Sequence, residues 1–425
     1  MAADLPESSP AALDPIDRDV VIVGGGFAGL ACAKELGGDA VTVTVIDRRN
    51  YHLFQPLLYQ VATAALSPAD IAEPIRKILS RHANISVVMG EVVAIDPGER
   101  LVRLADGPVF RYRRLVLATG SEYNYFGHDD WKRFAPGLKS IDDAREIRSR
   151  ILRNFEEAET SADPARRRAL MTSVVIGGGP TGVEMAGAIA ELARWTLARD
   201  FRAIDPTTAT VLLVEAGPRL LAAFPEDLAG YAHERLDRLG VTVMTGRPVE
   251  DVRPDGVTVG GIDVPCGLVV WGAGIRATPA AALLGVPQDR IGRVRVGPDL
   301  EVIDRSGIHA LGDIALLEED GAPLPALAQV AKQQGEHLGR HLAAAVRDGT
   351  PVPPFRFRNR GNTAVIGRNA AVFDFGRRHL RGRIAWLLWA IVHVYLLVGF
   401  QKRLLVSLQW IWRYFTYQRG ARIIR

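Results

Sequence analysis

At 425 residues the chain exceeds one ordinary hydrophobic core, so two or three domains are expected, and 48% hydrophobic with 7% aromatic residues suits a folded globular protein. Its two cysteines, Cys32 and Cys266, form no C-x-x-C or C-x4-C pair, which excludes a disulfide framework and a redox dithiol and suits a reducing compartment. The net charge of +4 hides an asymmetry: residues 356–425 hold 14 Lys/Arg and one acid, Asp374, while the remainder is net −9, so the basic end is expected to meet something anionic. Residues 1–19 are acidic, with no basic n-region or apolar h-region, and do not read as a signal peptide.

The first predicted unit opens with a β-branched strand, residues 20–23, followed by Gly24, Gly26 and Gly29 in G-x-G-x-x-G spacing and a helix over 30–36. A second strand, 41–46, ends in Asp47, 18 residues after Gly29. Gly24 permits a tight turn, Gly26 lets the backbone approach a pyrophosphate, and Gly29 lets helix and strand pack closely. The helix N-terminus offers free N–H groups to that pyrophosphate, and Asp47 can accept hydrogen bonds from a ribose diol. Residues 48–66 read as an apolar, aromatic loop running into a helix, and 85–95 and 101–104 as strands. The buried strand 115–118 ends in Thr119-Gly120, at the edge of a ligand crevice. Residues 141–159 are expected as a helix and 162–168 as a solvated linker.

The opening pattern then repeats. A strand at 173–176 leads into Gly177, Gly179 and Gly182, a helix over 183–197, and a strand at 211–214 ending in Glu215. The 33 residues between Gly182 and Glu215 exceed the usual spacing, but 198–209 read as an insertion. Two such units imply two dinucleotides. Strands at 241–244 and 268–270 continue the second unit, which closes with the W-G-A-G run ending in Gly274. A strand before Gly312-Asp313 and a helix over 325–342 containing A-Q-V-A-K-Q-Q-G follow; Pro351 to Pro354 marks a boundary, and short strands are expected over 355–375. Residues 384–400 are 17 without a formal charge; as a helix they would span about 25 Å, short of a ~30 Å hydrocarbon core. Residues 404–425 read as an amphipathic helix with Leu404, Leu405, Leu408, Ile411, Trp412 and Phe415 on one face and Lys402, Gln409 and Arg413 opposite, suited to a membrane surface.

With these motifs placed, the chain resembles the two-dinucleotide-fold flavoprotein reductases, and within them the type II NADH dehydrogenases, the single-subunit NADH:quinone oxidoreductases. The resemblance spans residues 18–425 and rests on G-G-G-F-A-G-L at 24–30, N-Y-H-L-F-Q-P-L-L-Y-Q-V-A at 50–62, G-G-G-P-T-G-V-E at 177–184, W-G-A-G at 271–274, A-L-G-D at 310–313 and A-Q-V-A-K-Q-Q-G at 328–335. It implies an α/β fold of two Rossmann-like, glutathione-reductase-like domains plus a C-terminal membrane-associating helical segment. FAD would occupy 18–160 with 283–350, NADH 161–282, and 351–425 would anchor the chain. It further implies FAD contacts from Gly24, Gly26, Gly29, Asp47, Thr119, Gly120 and Asp313, and NADH contacts from Gly177, Gly179, Gly182, Glu215 and Gly274. Gln329 and Gln333 would line a quinone site under the flavin ring, and Glu184 would be a catalytic residue beside the flavin, helping nicotinamide and quinone exchange electrons and protons.

Each of these residues has a plainer reading. Glu184 could complement its helix dipole, Glu215 could be an ordinary strand-end charge, and Gln329 and Gln333, four apart, could be a solvated helix face. A carboxylate at 215 would repel a 2′-phosphate and so favours NADH over NADPH. Tyr59 and His52 read as packing residues, and His393 as a satisfied interfacial histidine. No metal site and no nucleic-acid partner are expected; the expected partners are NADH, a membrane quinone and the membrane surface through 384–425, with a homodimer as an option. The expected activity is non-proton-pumping NADH:quinone oxidoreduction at the cytoplasmic face of the cell membrane. The competing readings are an NADH-dependent reductase of a ferredoxin-like protein, and a flavin-binding scaffold whose basic tail holds nucleic acid.

Overall fold

The computed structural model describes residues 14–398, 400–416, 420 and 422–424. The sequence readings on residues 1–13, on the side chain of Arg413 and on the last residues of the terminal helix lie outside them. The chain forms two compact units: residues 1–52, 74–121 and 276–358 make the first, and 53–73, 122–275 and 359–425 the second. The segment 351–425 is therefore divided between them.

The first unit is built on parallel strands. Val43–Asp47 pairs with Ile85–Met89 on one side and Ile16–Val23 on the other, and Val109–Leu117 lies between Ile16–Val23 and Ile308–Ala310. Leu101–Leu104 and Val92–Asp96 extend that sheet antiparallel, so the expected strand 85–95 is two strands separated at Gly90. Val20, Val21, Ile22, Leu115, Val116 and Leu117 are fully covered, as near-continuous apolar strands between helical layers must be. Helix Ala328–Arg347 packs against helix Phe27–Glu35 through Gly335 and Gly339, where any Cβ would run into the carbonyls of Ala28 and Cys32. The last glycine of the A-Q-V-A-K-Q-Q-G motif is thus a packing requirement.

In the second unit, Val241–Thr245, Thr210–Glu215, Thr172–Ile176 and Leu268–Trp271 form a parallel sheet in that order. An unforeseen antiparallel meander, Val249–Arg253, Gly256–Val259 and Ile262–Pro265, interrupts the sequence before the last strand. The expected linker 162–168 is a short helix, Pro164–Leu170, because Asp163 caps it by accepting the Ala165 N–H at 2.8 Å. Helix Pro180–Glu191 loosens into a wide turn at Leu192–Thr196 and packs on the sheet of Asn362–Gly367, Ala370–Asp374 and His379–Gly382. Gly187 makes that contact; a Cβ there would overlap the carbonyl of Ile366. Two helices follow, Arg383–Leu396 and Phe400–Thr416, so the uncharged run breaks where Leu397 turns extended (φ −60°, ψ 141°). Among the described residues no helix is long and apolar enough to cross a membrane.

Candidate active site

The first glycine turn is shaped for a diphosphate. Gly24 sits at φ +105°, and a Cβ there would collide with the Ala118 carbonyl; one at Gly29 would collide with Gly24. Gly26 differs: it caps helix Phe27–Glu35 with no side-chain hydrogen bond, no acid occupies the first helical turn, and a Cβ would meet only open space. That leaves unclaimed helix N–H groups facing a cleft without a competing anion. Asp47 does more than wait for a ribose, since its Oδ2 accepts the Gly25 N–H at 2.7 Å and its Oδ1 the Arg49 N–H at 2.7 Å. From below, His52 Nδ1 lies 3.0 Å from the Gly25 carbonyl; burial pushes this imidazole down to about 4, so it is neutral. Thr119 Oγ1 lies 2.5 Å from Thr278 Oγ1, and Gly120 beside it is at φ +74°. Asp313 accepts from the Ser121 hydroxyl at 2.5 Å, and the Gly312 N–H donates to Gln334 Oε1 at 2.7 Å. Ser121 and Gln334, both missed in the sequence, hold the Gly312-Asp313 turn. An open helix N-terminus, a strand-end acid and a braced acid at 313 are a donor and acceptor set that fits FAD.

The second turn repeats this design in the second unit. Gly177 is at φ +106°, where a Cβ would lie 2.7 Å from Gly272 C, and Gly182 abuts the Gly177 carbonyl. Gly179 caps helix Pro180–Glu191 and faces open space. Glu215 accepts the Gly178 N–H at 2.5 Å and the Gly217 N–H at 2.7 Å, the counterpart of Asp47. Gly274 (φ +67°) lies under the Phe126 ring, and the Trp271 indole donates to the carbonyls of Ala273 (2.7 Å) and Asn124 (3.1 Å). Phe126 and Trp271 thus pin the W-G-A-G turn.

Helix Pro180–Glu191 also carries Glu184, Ala188 and Glu191 along one face, at the wall of a cavity of about 160 Å³ lined wholly by second-unit residues. Residue Glu184 lines the cavity, yet protein surrounds its carboxyl, and among the described residues the Val365 N–H, at 3.3 Å, is the hydrogen bond that reaches it. Desolvation dominates over that hydrogen bond and pushes the acid up to about 8, so it holds its proton at neutral pH. Opposite stand aromatic rings from the terminal helices. Gln60 accepts the Trp410 indole N–H at 3.0 Å and donates to the Tyr59 hydroxyl at 3.0 Å. Trp389 stacks on Trp410 (centroids 5.3 Å apart) and on His393 (4.4 Å). His393 is inside the fold rather than interfacial: its Nδ1 is 2.8 Å from the Trp389 carbonyl, and burial pushes it down to about 4. Tyr59, read from the sequence as packing, lines the same cavity.

Gln329 and Gln333 lie one turn apart on helix Ala328–Arg347 of the first unit. Gln333 is not a solvated face residue: its amide donates to the Arg358 carbonyl at 3.0 Å and accepts the Arg358 N–H at 3.1 Å. Both cysteines are buried and free, and burial pushes each thiol up to about 12, so neither is a thiolate at neutral pH. Among the described residues no cluster of His, Cys, Asp and Glu could hold a metal ion.

The terminal helices reverse part of the sequence reading. Ile384, Leu387, Ile391 and Tyr395 on one, and Leu404, Leu408, Ile411, Trp412 and Phe415 on the other, are all 50–75% exposed. The opposite, polar face of the second helix meets protein instead of water. Lys402 Nζ pairs with the buried Glu73 at 2.7 Å, and Gln409 donates to Asp70 at 3.4 Å.

The pyridine nucleotide-disulphide oxidoreductase family matches residues 18–335. The chain is 40% identical to the type II NADH:quinone oxidoreductase Ndh of Mycobacterium tuberculosis, over 98% of this chain and 92% of that protein. It is also 40% identical to NdhA of the same organism, over 92% and 86% of the two chains. The internal alternative NAD(P)H-ubiquinone oxidoreductase A1 of Arabidopsis thaliana mitochondria is 28% identical over 92% and 83%. In fold, NDH2 of Plasmodium falciparum, solved with NADH, superposes with a TM-score of 0.87 at 21% identity, covering 95% of this chain and 99% of that one.

Proposed function

The chain belongs to the type II NADH:quinone oxidoreductases, and from that premise we propose that Glu184 is the acid that serves quinone reduction, with the cavity beside it as the quinone site. The enzyme uses FAD to carry two electrons from NADH to a quinone without pumping protons. The first glycine turn, with Asp47, Thr119, Gly120 and Asp313, holds FAD; the second, with Glu215 and Gly274, holds NADH, and the Glu215 carboxylate disfavours the 2′-phosphate of NADPH. The division of labour follows: residues 18–160 and 283–350 for FAD, 161–282 for NADH and 351–425 for attachment. Bound FAD supplies the two-electron relay.

Reduction of a quinone consumes two protons as well as two electrons. A carboxyl that is still protonated at pH 7 and lines a cavity can give a proton to a quinone oxygen and recover it from water entering the same cavity. The Glu184 carboxyl, enclosed by protein at the cavity wall where burial opposes its ionisation, is the observation that carries this reading. The exposed apolar faces of the terminal helices, in a segment rich in Lys and Arg, fit insertion into the interface of an anionic bilayer at the cytoplasmic face. The test is Glu184→Gln in the FAD-loaded enzyme: quinone turnover should fall by about 10²-fold or more with FAD content retained. Undiminished turnover would remove Glu184 from the reaction.

A further inference from the structure

Trp389, a wall residue of the cavity, carries a buried polar atom that makes no hydrogen bond among the described residues. Trp389 is 2% exposed and lines the cavity, and among the described residues no acceptor reaches its indole Nε1. Buried indole N–H groups ordinarily find a partner, because an unmade hydrogen bond in a dry site is costly. The neighbouring polar groups are already engaged. Trp410 Nε1 donates to Gln60 Oε1, Gln60 Nε2 donates to Tyr59, and Glu184 Oε1 receives the Val365 N–H. The Trp389 ring is stacked on both Trp410 and His393, which hold its plane. His393 Nδ1 is itself engaged with the Trp389 main-chain carbonyl.

We propose that the Trp389 indole N–H is the hydrogen-bond donor that seats a carbonyl oxygen of the quinone. This rests on the cavity's being the quinone site. A quinone is flat, with apolar faces suited to an aromatic wall, and carries two carbonyl acceptors without a donor. A fixed N–H with no protein acceptor complements that edge and stays unsatisfied for a hydrocarbon of the same shape. Trp389 therefore distinguishes a quinone from other flat apolar molecules that reach the cavity, since specificity from a buried polar group comes from leaving it unpaired with the wrong ligand.

The test uses the full-length, FAD-loaded protein and two ligands: a short-chain ubiquinone analogue, and the same ring and tail with both carbonyl oxygens replaced by hydrogen. Trp389→Phe keeps an aromatic ring without the donor; benzothienylalanine at position 389 keeps the full ring shape and loses only the N–H, which guards against a phenylalanine variant that fails to fold. Both substitutions should weaken ubiquinone binding and raise its KM by about five- to tenfold, the worth of one neutral hydrogen bond, with the KM for NADH unmoved. Affinity for the carbonyl-free ligand should stay constant, so selectivity between the two ligands collapses. Equal losses for both ligands would mean that Trp389 only shapes the cavity, and no loss for either would mean that its N–H has another partner; each overturns the proposal. Ala65→Phe, which adds bulk to the cavity wall, separates the two levels of inference. If it leaves the quinone KM at the wild-type value, the cavity is not the quinone site, whatever Trp389 does.

Discussion

Replacing Glu184 by Gln removes an ionisation that the fold resists, and the consequence for stability can be worked out with its sign. The carboxyl titrates near 4.5 in an unfolded chain and is pushed up to about 8 in the folded one. Between those values the folded state binds the extra proton, so stability falls as pH rises through this window and the loss is complete above pH 8. Each pH unit of displacement is worth about 1.4 kcal/mol, which puts the loss on the order of 5 kcal/mol at most; water entering the cavity reduces it towards about 2 kcal/mol. Glu184→Gln cannot ionise and is exempt. Denaturant unfolding at pH 5 and pH 9 should therefore show wild type and variant close together at the lower pH, and the variant more stable by about 2–5 kcal/mol at the higher one. Quinone turnover should run the other way, lower in the variant and flat between pH 7 and 9, whereas wild-type turnover declines above pH 8. If the stability gap between the two proteins is the same at both pH values, Glu184 is an ordinary ionised acid and its role as proton donor falls.

Other substitutions probe separate parts of the site. Gly26→Ala should leave folding untouched, because its Cβ enters open space, yet lower the flavin-to-protein absorbance ratio by filling the diphosphate cradle. Gly187→Ala, by contrast, drives a methyl into the Ile366 carbonyl and should cost about 1–3 kcal/mol in the denaturation midpoint. Lys402→Met takes the ammonium from the buried Glu73 carboxylate and should destabilise the terminal helix by on the order of 3 kcal/mol, read as faster proteolysis between residues 397 and 416. The combined exchange of Leu404, Leu408 and Trp412 for Glu changes only exposed positions. It should leave the fold intact and move the protein from the floating to the soluble fraction with anionic liposomes; continued flotation would refute the interfacial helix.

Both glycine turns were legible because each depends on a local mechanical condition. A φ near +105° at Gly24 and Gly177, and a close approach at Gly29 and Gly182, exclude every other residue type, so the spacing alone reports the geometry. The strand-end acids were legible in position but not in their present work. Asp47 and Glu215 each accept the N–H of the middle glycine, Gly25 and Gly178, a bond spanning 22 and 37 residues that no local pattern announces. Gln333 failed differently. Helical spacing showed it on a face, but its partner is the main chain of Arg358, whose backbone carries no side-chain signal. The cavity was the least legible feature, since residues 59–65, 184–196 and 365–414 contribute its walls and no two of those stretches adjoin in sequence.

The terminal helices show why an amphipathic pattern determines a face without determining its direction. In Phe400–Thr416, Leu404, Leu408 and Ile411 mark one side, and a soluble protein would bury them. Their exposure follows from what the other side finds. Lys402 and Gln409 meet Glu73 and Asp70, and Trp410 meets Gln60, all in the segment 53–73, so the polar face is the one with complementary partners. Turning the helix over would place a lysine and a glutamine in solvent at little cost, but would leave Glu73 buried without its ammonium, a far larger penalty than exposing several leucines to a bilayer that is itself apolar. The inward side then brings Trp410 against Trp389 at the wall beside Glu184, while the outward side stays apolar. One pair of helices can thus serve both membrane attachment and the delivery of a lipid-soluble quinone, because the acids of residues 53–73 decide which way the second helix faces.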